Sequence, residues 1–224
     1  MKKMEQILLQ PSSPTLYTDL SKYAVDYIKD SILKGKLKSG DRLIENDLSK
    51  DLGISRGPLR EGIRELEKSG IVTNYPRRGT YISEFTSEDI KEIFDVRLLL
   101  ENDIIDILIK EDKITEENIE ELTTMVDYMV RIVNSDLSKE DKTNLINLED
   151  MEFHRYIWNL SGSKRRVEML NSMFFQLRMA MLYDTNKTDD LLRTAKDHYK
   201  IIEGFKEKDA DKIKSAIRDH IITI

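Results

Sequence analysis

The sequence LSKDLGISRGPLREGIRELEKSGIV, residues 48–72, decides the fold of the first part of this 224-residue chain. A short helix over residues 45–52 is expected to end at Gly53, which suits a left-handed cap. A second helix then runs over about residues 56–69, with Ser55 as its candidate N-cap. The apolar stripe of this second helix, which predicts its packing face, consists of Leu59, Ile63 and Leu66.

The flanking sequence predicts one helix before this pair and a β-hairpin after it. Apolar residues at helical spacing indicate a helix over residues 16–33, and the polar residues 1–15 are expected to form a flexible N-terminal arm. After the pair, β-prone runs at 71–73 and 80–82 flank a turn with a basic tip. Helix, short helix, glycine turn, helix and hairpin is the order of a winged helix-turn-helix, which we assign to residues 16–86.

The second helix of the pair has a basic side, separate from its packing stripe. Arginines recur there at a spacing of four, and the first turns of a helix in the major groove reach base edges while its flanks contact phosphates. Arginine suits both contacts, because its planar guanidinium can bond guanine bidentately or hold a phosphate. The alternative is a solvated face on which Arg60 and Arg64 pair with glutamates of the same helix, namely Glu61, Glu65 or Glu67. The candidate DNA-contacting residues are Arg56, Arg60 and Arg64, and at the hairpin tip Arg77, Arg78 and Gly79.

From residue 87 onward the pattern is helical only. Short connections between the helices favour antiparallel neighbours in a bundle. Ser87, Thr115 and Ser138 are expected to begin their helices, with acidic residues in the first turn. The predicted fold class is mainly α, with an N-terminal winged helix-turn-helix plus a C-terminal all-α antiparallel helical bundle over residues 87–224. The bundle helices are predicted at residues 87–110, 115–134, 139–161, 163–184, 188–207 and 209–223.

Composition narrows the class of protein. Hydrophobic residues make up 39% of the chain, and there are only nine glycines and four prolines, so packed and mainly helical domains are expected. Cysteine is absent, which excludes disulfides and thiolate metal ligands. No apolar run approaches the roughly 20 residues that span a bilayer, and the N-terminal apolar stretch is too short for a signal peptide. A cytoplasmic protein without membrane contact is therefore expected.

The net charge of −6 is divided unevenly along the chain. Residues 1–86 carry 15 Lys and Arg against 12 Asp and Glu, whereas residues 87–224 carry 21 against 30. This division argues against charge-driven nucleic-acid binding by the whole molecule. It permits such binding by the first part, because phosphate neutralisation is local.

All three histidines of the chain, His154, His198 and His220, lie on apolar faces of predicted helices. Asp150 precedes His154 by four residues, so both side chains project from one side of a helix and can bind one ion. Three imidazoles and one carboxylate suit a divalent transition metal, with zinc first and nickel or manganese also compatible. The alternative is three core histidines whose hydrogen bonds are satisfied within the protein.

At these motifs the sequence resembles a known family. The stretch ILKGKLKSGDRLIENDLSKDLGISRGPLREGIRELEKSGIVTNYPRRGTYI, residues 32–82, resembles the DNA-binding domain of GntR-superfamily transcription regulators. That family has a G-x-x-L lead-in, L-x-x-x-LGVSRTPVREAL in the helix pair, and a wing that ends in RG. Gly57 stands where threonine is usual, which removes a side chain that commonly contacts phosphate. The resemblance implies operator contacts by Ser55, Arg56, Arg60, Arg78 and Gly79.

The second part of the chain resembles the FCD ligand-binding domain of the FadR subfamily, in its six-helix VanR-type form. The resemblance is carried by DVRLLLEN at 95–102, DMEFHRYIWNLSG at 150–162, and DHYKIIEGFKEKDADKIKSAIRDHI at 197–221. It implies a metal site, and the ligands are the four residues that side-chain chemistry already selects, namely Asp150, His154, His198 and His220.

By the same resemblance, a small organic acid binds against the metal with an arginine opposite. Arg97 is the first candidate, because it matches the family's arginine before LLE and is predicted to face the bundle. Arg178 is the second candidate, and Tyr183 could add a hydroxyl. The alternative for Arg97 is a surface ion pair, with Glu92, Glu101 or Asp103.

The function expected is that of a sequence-specific transcription regulator and not of an enzyme. It would bind a pseudo-palindromic DNA operator as a homodimer, with its affinity controlled by the organic acid at the metal. Two alternatives remain open. One is a metal-dependent hydrolase or isomerase with a DNA-binding appendage, and the other is an effector-free repressor whose bundle only dimerises.

Overall fold

The computed structural model describes residues 14–185 and 190–222, and over these residues the chain forms nine helices and a three-stranded sheet. The chain divides into two compact units, the first ending at Glu84 and the second beginning at Phe85. The predicted fold class, mainly α with a winged helix-turn-helix before a helical bundle, is confirmed. Residues 1–13, which are most of the predicted arm, lie outside the described residues.

The first unit contains the predicted helices and one strand more than predicted. The glycine between the second and third helices, Gly53, has a φ of 65° and forms the left-handed cap expected there. The elements are α1, Pro14–Leu33; β1, Arg42–Leu43; α2, Glu45–Leu52; α3, Arg56–Lys68; β2, Val72–Tyr75; and β3, Gly79–Ile82.

Helix α1 begins two residues earlier than predicted. Pro14 occupies its first position, where the missing N–H would have had no helical partner and the fixed φ suits the helix. The two residues 14–15 therefore belong to the helix and not to the arm.

Helix α3 packs on α1 through the apolar stripe predicted for it, since Leu59, Ile63 and Leu66 are buried. Gly62 permits the close approach, because a Cβ atom there would lie 2.8 Å from the carbonyl oxygen of Ser21 in α1. Burial of this stripe holds α3 in place and leaves its arginine-bearing side exposed.

The hairpin is part of a three-stranded antiparallel sheet with the order β1-β3-β2. The register places Arg42 of β1 opposite Tyr81, and Tyr75 opposite Gly79 beside the turn of the hairpin. Strand β1 was not predicted, because two residues contain no alternation of apolar and polar side chains to detect.

The described part of the second unit contains six helices close to the predicted positions. The first of them is capped by Thr86 and not by Ser87 as predicted: Thr86 Oγ1 accepts from the Asp89 N–H at 3.1 Å, and Asp89 accepts from the Thr86 N–H at 2.8 Å. Thr115 and Ser138 cap their helices as expected. The helices are α4, Ser87–Lys110; α5, Glu116–Val133; α6, Lys139–Leu160; α7, Lys164–Thr185; α8, Leu191–Glu207; and α9, Ala210–Ile222.

These helices pack around one apolar core. Helix α8 contacts α5, α6 and α9, and α6 also contacts α4, α5 and α7. The faces of α4, α6, α8 and α9 that point into this core carry the polar residues described below. Among the described helices, not one has the length and hydropathy needed to cross a lipid bilayer.

Candidate metal centre and nucleic-acid interface

The second unit brings Asp150, His154, His198 and His220 together in its core. Asp150 and His154 lie one turn apart on α6, His198 comes from α8 and His220 from α9. All four are buried, and each offers one ligand atom within 4.8 Å of the others.

Asp150 lies at the centre of this metal-ligand cluster. Its Oδ2 accepts a hydrogen bond from His220 Nε2 at 2.7 Å and lies 3.2 Å from His198 Nε2. The other oxygen, Oδ1, lies 4.0 Å from His154 Nε2. One carboxylate therefore faces three imidazole rings.

Hydrogen-bond acceptors fix the tautomers of two histidines. In each ring the acceptor lies at Nδ1, the outer nitrogen, which points away from the cluster. His198 Nδ1 lies 3.1 Å from the Thr194 carbonyl oxygen, which can only accept, so this nitrogen carries the proton. His154 Nδ1 lies 3.1 Å from Glu101 Oε2. In a neutral ring the lone pair is then on Nε2, which in both residues is on the cluster side.

The protonation states suit metal binding. Burial alone would raise the pKa of Asp150, but attraction to His220 and His198 outweighs burial and holds that pKa well below its ordinary value. Burial lowers the pKa of His154, and burial together with His198 lowers the pKa of His220 to about 4. The carboxylate is therefore ionised and these imidazoles are neutral at neutral pH, as coordination requires.

Three of the inner atoms of the cluster lack hydrogen-bond partners among the described residues. Asp150 Oδ1, His154 Nε2 and His198 Nε2 are buried, and none has a partner with hydrogen-bonding geometry among the described residues. A buried acceptor without a donor costs about 1–3 kcal/mol. A cation among these acceptors would remove that cost, so the donor set fits a divalent transition metal. Internal hydrogen bonds satisfy the outer nitrogens of His154 and His198 and Nε2 of His220, so the core-histidine alternative accounts for part of the geometry.

Arg97 faces the bundle as predicted and has no exposed surface. Its Nε donates to Glu101 Oε1 at 2.8 Å, and its Nη2 lies 4.0 Å from Asp150 Oδ1. Neither Nη1 nor Nη2 has a hydrogen-bond partner within residues 14–185 and 190–222. The alternative for Arg97, a surface ion pair, is wrong because the pair is buried. Its partner Glu101 was one of the three residues considered. Burial would raise the pKa of Glu101, but Arg97 and His154 outweigh burial and lower that pKa to about 2.

The other two effector candidates are not joined to the cluster by any described contact. Arg178 is half-buried on α7, where burial lowers its pKa and Glu152 partly opposes that shift. Its Nε is buried and lacks a hydrogen-bond partner in the part of the chain that the structure describes. Tyr183 is on the same helix, but its side chain lies outside the described residues.

In the first unit, the arginines of α3 share an exposed side with Ser55. Arg64 pairs with Glu61 at 2.7 Å, as the solvated-face alternative expected. Arg60 instead donates through Nε to Glu45 of α2 at 2.8 Å. The helix pair brings the start of α2 beside α3, a contact that spacing within one helix could not indicate.

The hairpin tip has an unusual backbone. Arg77 has a φ of 64°, and the turn is closed by the Arg78 N–H, which donates to the Tyr75 carbonyl oxygen at 2.9 Å. Gly79 has a φ of 105°, and a Cβ atom there would lie 3.0 Å from Nε of Arg42. Arg42, which sequence analysis missed, therefore adds a third exposed arginine beside Arg77 and Arg78.

The space beside Gly57 is occupied by another residue. A Cβ atom at Gly57 would lie 2.8 Å from the Tyr17 hydroxyl oxygen of α1. A threonine, the usual residue of the resembling family, would not fit here unless Tyr17 moved. Sequence analysis missed Tyr17 because the contact joins residues 40 positions apart.

Known protein families match both units of the chain. The chain matches the FCD domain over residues 92–223 and the gntR family of bacterial regulatory proteins over residues 20–82. The HTH-type transcriptional regulator YdhC of Bacillus subtilis (strain 168) is 28% identical over 196 residues, covering 86% of this chain and 84% of that protein. The gluconate operon transcriptional repressor of the same organism is 29% identical over 185 residues, covering 80% and 72%.

Solved structures share the fold. E. coli McbR/YncC superposes with a TM-score of 0.71 at 19% identity, over 91% of this chain and 94% of that one. The relatives above are named as transcription regulators, which confirms the prediction of a regulator and not an enzyme. The chain belongs to the gntR family of bacterial regulatory proteins and is a DNA-binding transcription regulator with an FCD domain.

Proposed function

We propose that a small organic acid, bound at a divalent metal ion in the second unit, controls the affinity of this regulator for its DNA operator. The observation that carries the proposal is the buried metal-ligand cluster with its three partnerless acceptor atoms. The carboxylate of Asp150 is ionised and the neutral ring of His154 turns its lone pair toward the cluster, which supports the ion. His220, whose Nε2 donates to Asp150, would bind in the tautomer that is protonated on Nδ1.

Asp150, His154, His198 and His220 would hold the ion, with zinc first and nickel or manganese also compatible. When bound, the ion would supply a positive centre that can attract a carboxylate oxygen. The chain's own residues set where that centre lies, because α6, α8 and α9 each contribute a ligand.

Arg97 would orient the acid. Two of its guanidinium nitrogens are buried donors without acceptors, and Nη2 lies 4.0 Å from the ligand Asp150. A ligand with acceptor oxygens would satisfy these donors, and a planar guanidinium suits a carboxylate. Arg178 and Tyr183 are secondary candidates, which require that α7 approaches the bound acid.

In the first unit, Ser55, Arg56, Gly57, Arg60, Arg64, Arg77, Arg78 and Gly79 would form the DNA contacts. We propose a homodimer on a pseudo-palindromic operator, since paired recognition helices read paired half-sites. The gluconate operon repressor among the relatives supports repression as the mode of action.

The test combines elemental analysis, mass spectrometry of released small molecules and operator-binding titrations on the full-length protein. We expect about one ion per chain and an organic acid that changes operator affinity. His198→Ala should lose the ion and the response to the acid. Lys200→Ala, an exposed change on the same helix, should keep both.

A wild-type protein without an ion, together with unchanged repression by His198→Ala, would overturn the proposal. That pair of results would favour the effector-free dimeric repressor.

A further inference from the structure

The ligand His154 is joined by hydrogen bonds to two further buried side chains beside the metal-ligand cluster, Glu101 and Arg97. His154 presents Nδ1 to Glu101 Oε2 at 3.1 Å, and Glu101 Oε1 accepts from Arg97 Nε at 2.8 Å. All three residues are at most 2% exposed. Each bond therefore acts with little competition from water.

The bond between His154 and Glu101 determines which ring nitrogen faces the cluster. A carboxylate accepts, so Nδ1 donates and the neutral ring keeps its lone pair on Nε2. Nε2 lies 4.0 Å from Asp150 Oδ1 and has no hydrogen-bond partner among the residues that the structure describes. A carboxylate behind an imidazole also makes that imidazole a more basic metal ligand.

Arg97 provides the charge that Glu101 needs. A buried carboxylate without an opposite charge is strongly unfavourable, and the guanidinium of Arg97 lies one helical turn before it. The pair is oriented by α4 alone, which contributes no residue to the metal-ligand cluster.

We propose that Glu101 is a positioning residue of the metal site. It holds His154 with Nε2 toward the ion, and Arg97 in turn holds Glu101. The inference rests on the proposed function, because it requires an ion at the cluster. Through these hydrogen bonds, α4 sets the metal affinity of a site whose ligands come from three other helices.

The first test reads the ring nitrogens directly. Zinc-loaded wild-type protein, labelled with ¹⁵N-histidine, has only three ring systems to assign in long-range ¹H–¹⁵N spectra. We expect His154 to carry a proton on Nδ1 and to coordinate through Nε2. Coordination through Nδ1 would overturn the inference, because Glu101 faces that nitrogen. This test needs no variant, so it does not depend on the folding of a mutant.

The second test measures metal affinity in Glu101→Gln by competition with a chelator. The variant should bind zinc roughly 10–100-fold more weakly, and its cobalt-loaded form should show a shifted ligand-field spectrum. Glu92→Gln removes the same charge from the exposed side of α4 and should bind zinc like the wild type. Circular dichroism of the metal-free proteins checks that both variants fold.

Arg97 is tested in a double-mutant cycle. Arg97→Gln should weaken zinc binding, and the double variant should be little weaker than Glu101→Gln, because both residues act through His154. Fully additive losses would exclude this role for Arg97. Glu101→Gln with wild-type zinc affinity would overturn the inference alone, whereas a wild type that binds no zinc would overturn the proposed function.

Discussion

Arg77 occupies a left-handed backbone conformation, with a φ of 64°, at the tip of the wing formed by β2 and β3. Such a conformation costs a residue with a side chain roughly 1–2 kcal/mol, and glycine avoids that cost. Residues held in this way concentrate at functional sites. Its position next to Arg78 and Gly79 therefore favours a role of the Arg77 side chain in DNA contact.

Arg77→Gly should separate stability from function. We expect the free energy of unfolding to be unchanged or raised by up to about 1 kcal/mol, because relief of the left-handed arginine offsets the entropy cost of glycine. Operator affinity should fall, and the slope of log affinity against log salt should decrease by about one. Denaturant titration and fluorescence anisotropy at several salt concentrations measure the two effects.

Asp112→Gly is the matched control, because Asp112 also has a positive φ, of 49°, but belongs to the second unit. It should leave operator affinity unchanged. If Arg77→Gly kept the wild-type affinity and salt slope, the wing tip would have no phosphate contact.

Sequence alone singled out the side chains that the fold brings together in the cluster, because their chemistry and spacing are local or rare. Asp150 and His154 are one turn apart, and the scarcity of histidine singled out His198 and His220. Glu101 was considered only as a surface partner of Arg97, because a spacing of four does not reveal burial. Contacts between elements, such as Arg60 with Glu45, could not be predicted, since they depend on how two helices pack.

At the scale of the helix pair α8–α9, one glycine sets the distance of approach. A Cβ atom at Gly204 would lie 2.6 Å from Ile213 Cγ1 and 3.2 Å from the Ile213 backbone nitrogen. Rotation of the Ile213 side chain cannot relieve both contacts. Helix α9, which carries His220, would have to move away.

Gly204→Ala should therefore destabilise the protein despite the better helix propensity of alanine. The strain of overpacking, about 1–3 kcal/mol, exceeds the gain of roughly 1 kcal/mol from propensity. Zinc affinity should fall as well, because His220 moves with α9. Thermal unfolding with and without zinc measures both effects, and Glu207→Ala on the same helix is the control. Unchanged stability in Gly204→Ala would contradict this account of the packing.

Helices α5 and α8 are joined by Tyr199, whose hydroxyl donates to Asp127. This hydrogen bond, with burial and the negative charge of Asp127, raises the pKa of Tyr199 to about 12. A raised pKa contributes stability that is fully present below the unfolded value of about 10 and is lost as the pH rises through 12.

The stability difference between wild type and Tyr199→Phe should therefore shrink between about pH 10 and 12. Denaturant titrations across this range measure it. Absorbance at 295 nm should also show one tyrosine that ionises last in the wild type and is missing in the variant. Parallel pH profiles for the two proteins would exclude the proposed hydrogen bond.

Helices of the bundle were predicted to within a few residues, because their apolar periodicity extends over several turns. The shorter features were missed. Strand β1 has two residues and exists only through its pairing with β3. The N-cap of α4 is Thr86 and not the predicted Ser87. Two adjacent hydroxyl residues offer the same sequence signal, and only the side-chain geometry decides between them.

For the whole molecule, the two compact units should respond differently to metal. An ion that binds the folded cluster and not the unfolded chain stabilises it by about 2.7 kcal/mol at a free concentration of 100 times Kd. Calorimetry with zinc or with a chelator should shift unfolding of the unit that begins at Phe85 and leave that of the first unit unchanged. His198→Ala should show no shift, and an equal shift in this variant would place the ion elsewhere.

The positions of the four ligands in the sequence also bear on how the ion would stabilise the chain. They span residues 150–220 and three helices, in a chain without a single cysteine. A bound cation would join these distant segments as a reversible cross-link that lasts only while the cluster is folded, whereas a disulfide persists in the unfolded chain. Depletion of the metal would then destabilise the second unit. The rate at which proteases degrade the protein would therefore depend on the supply of the ion.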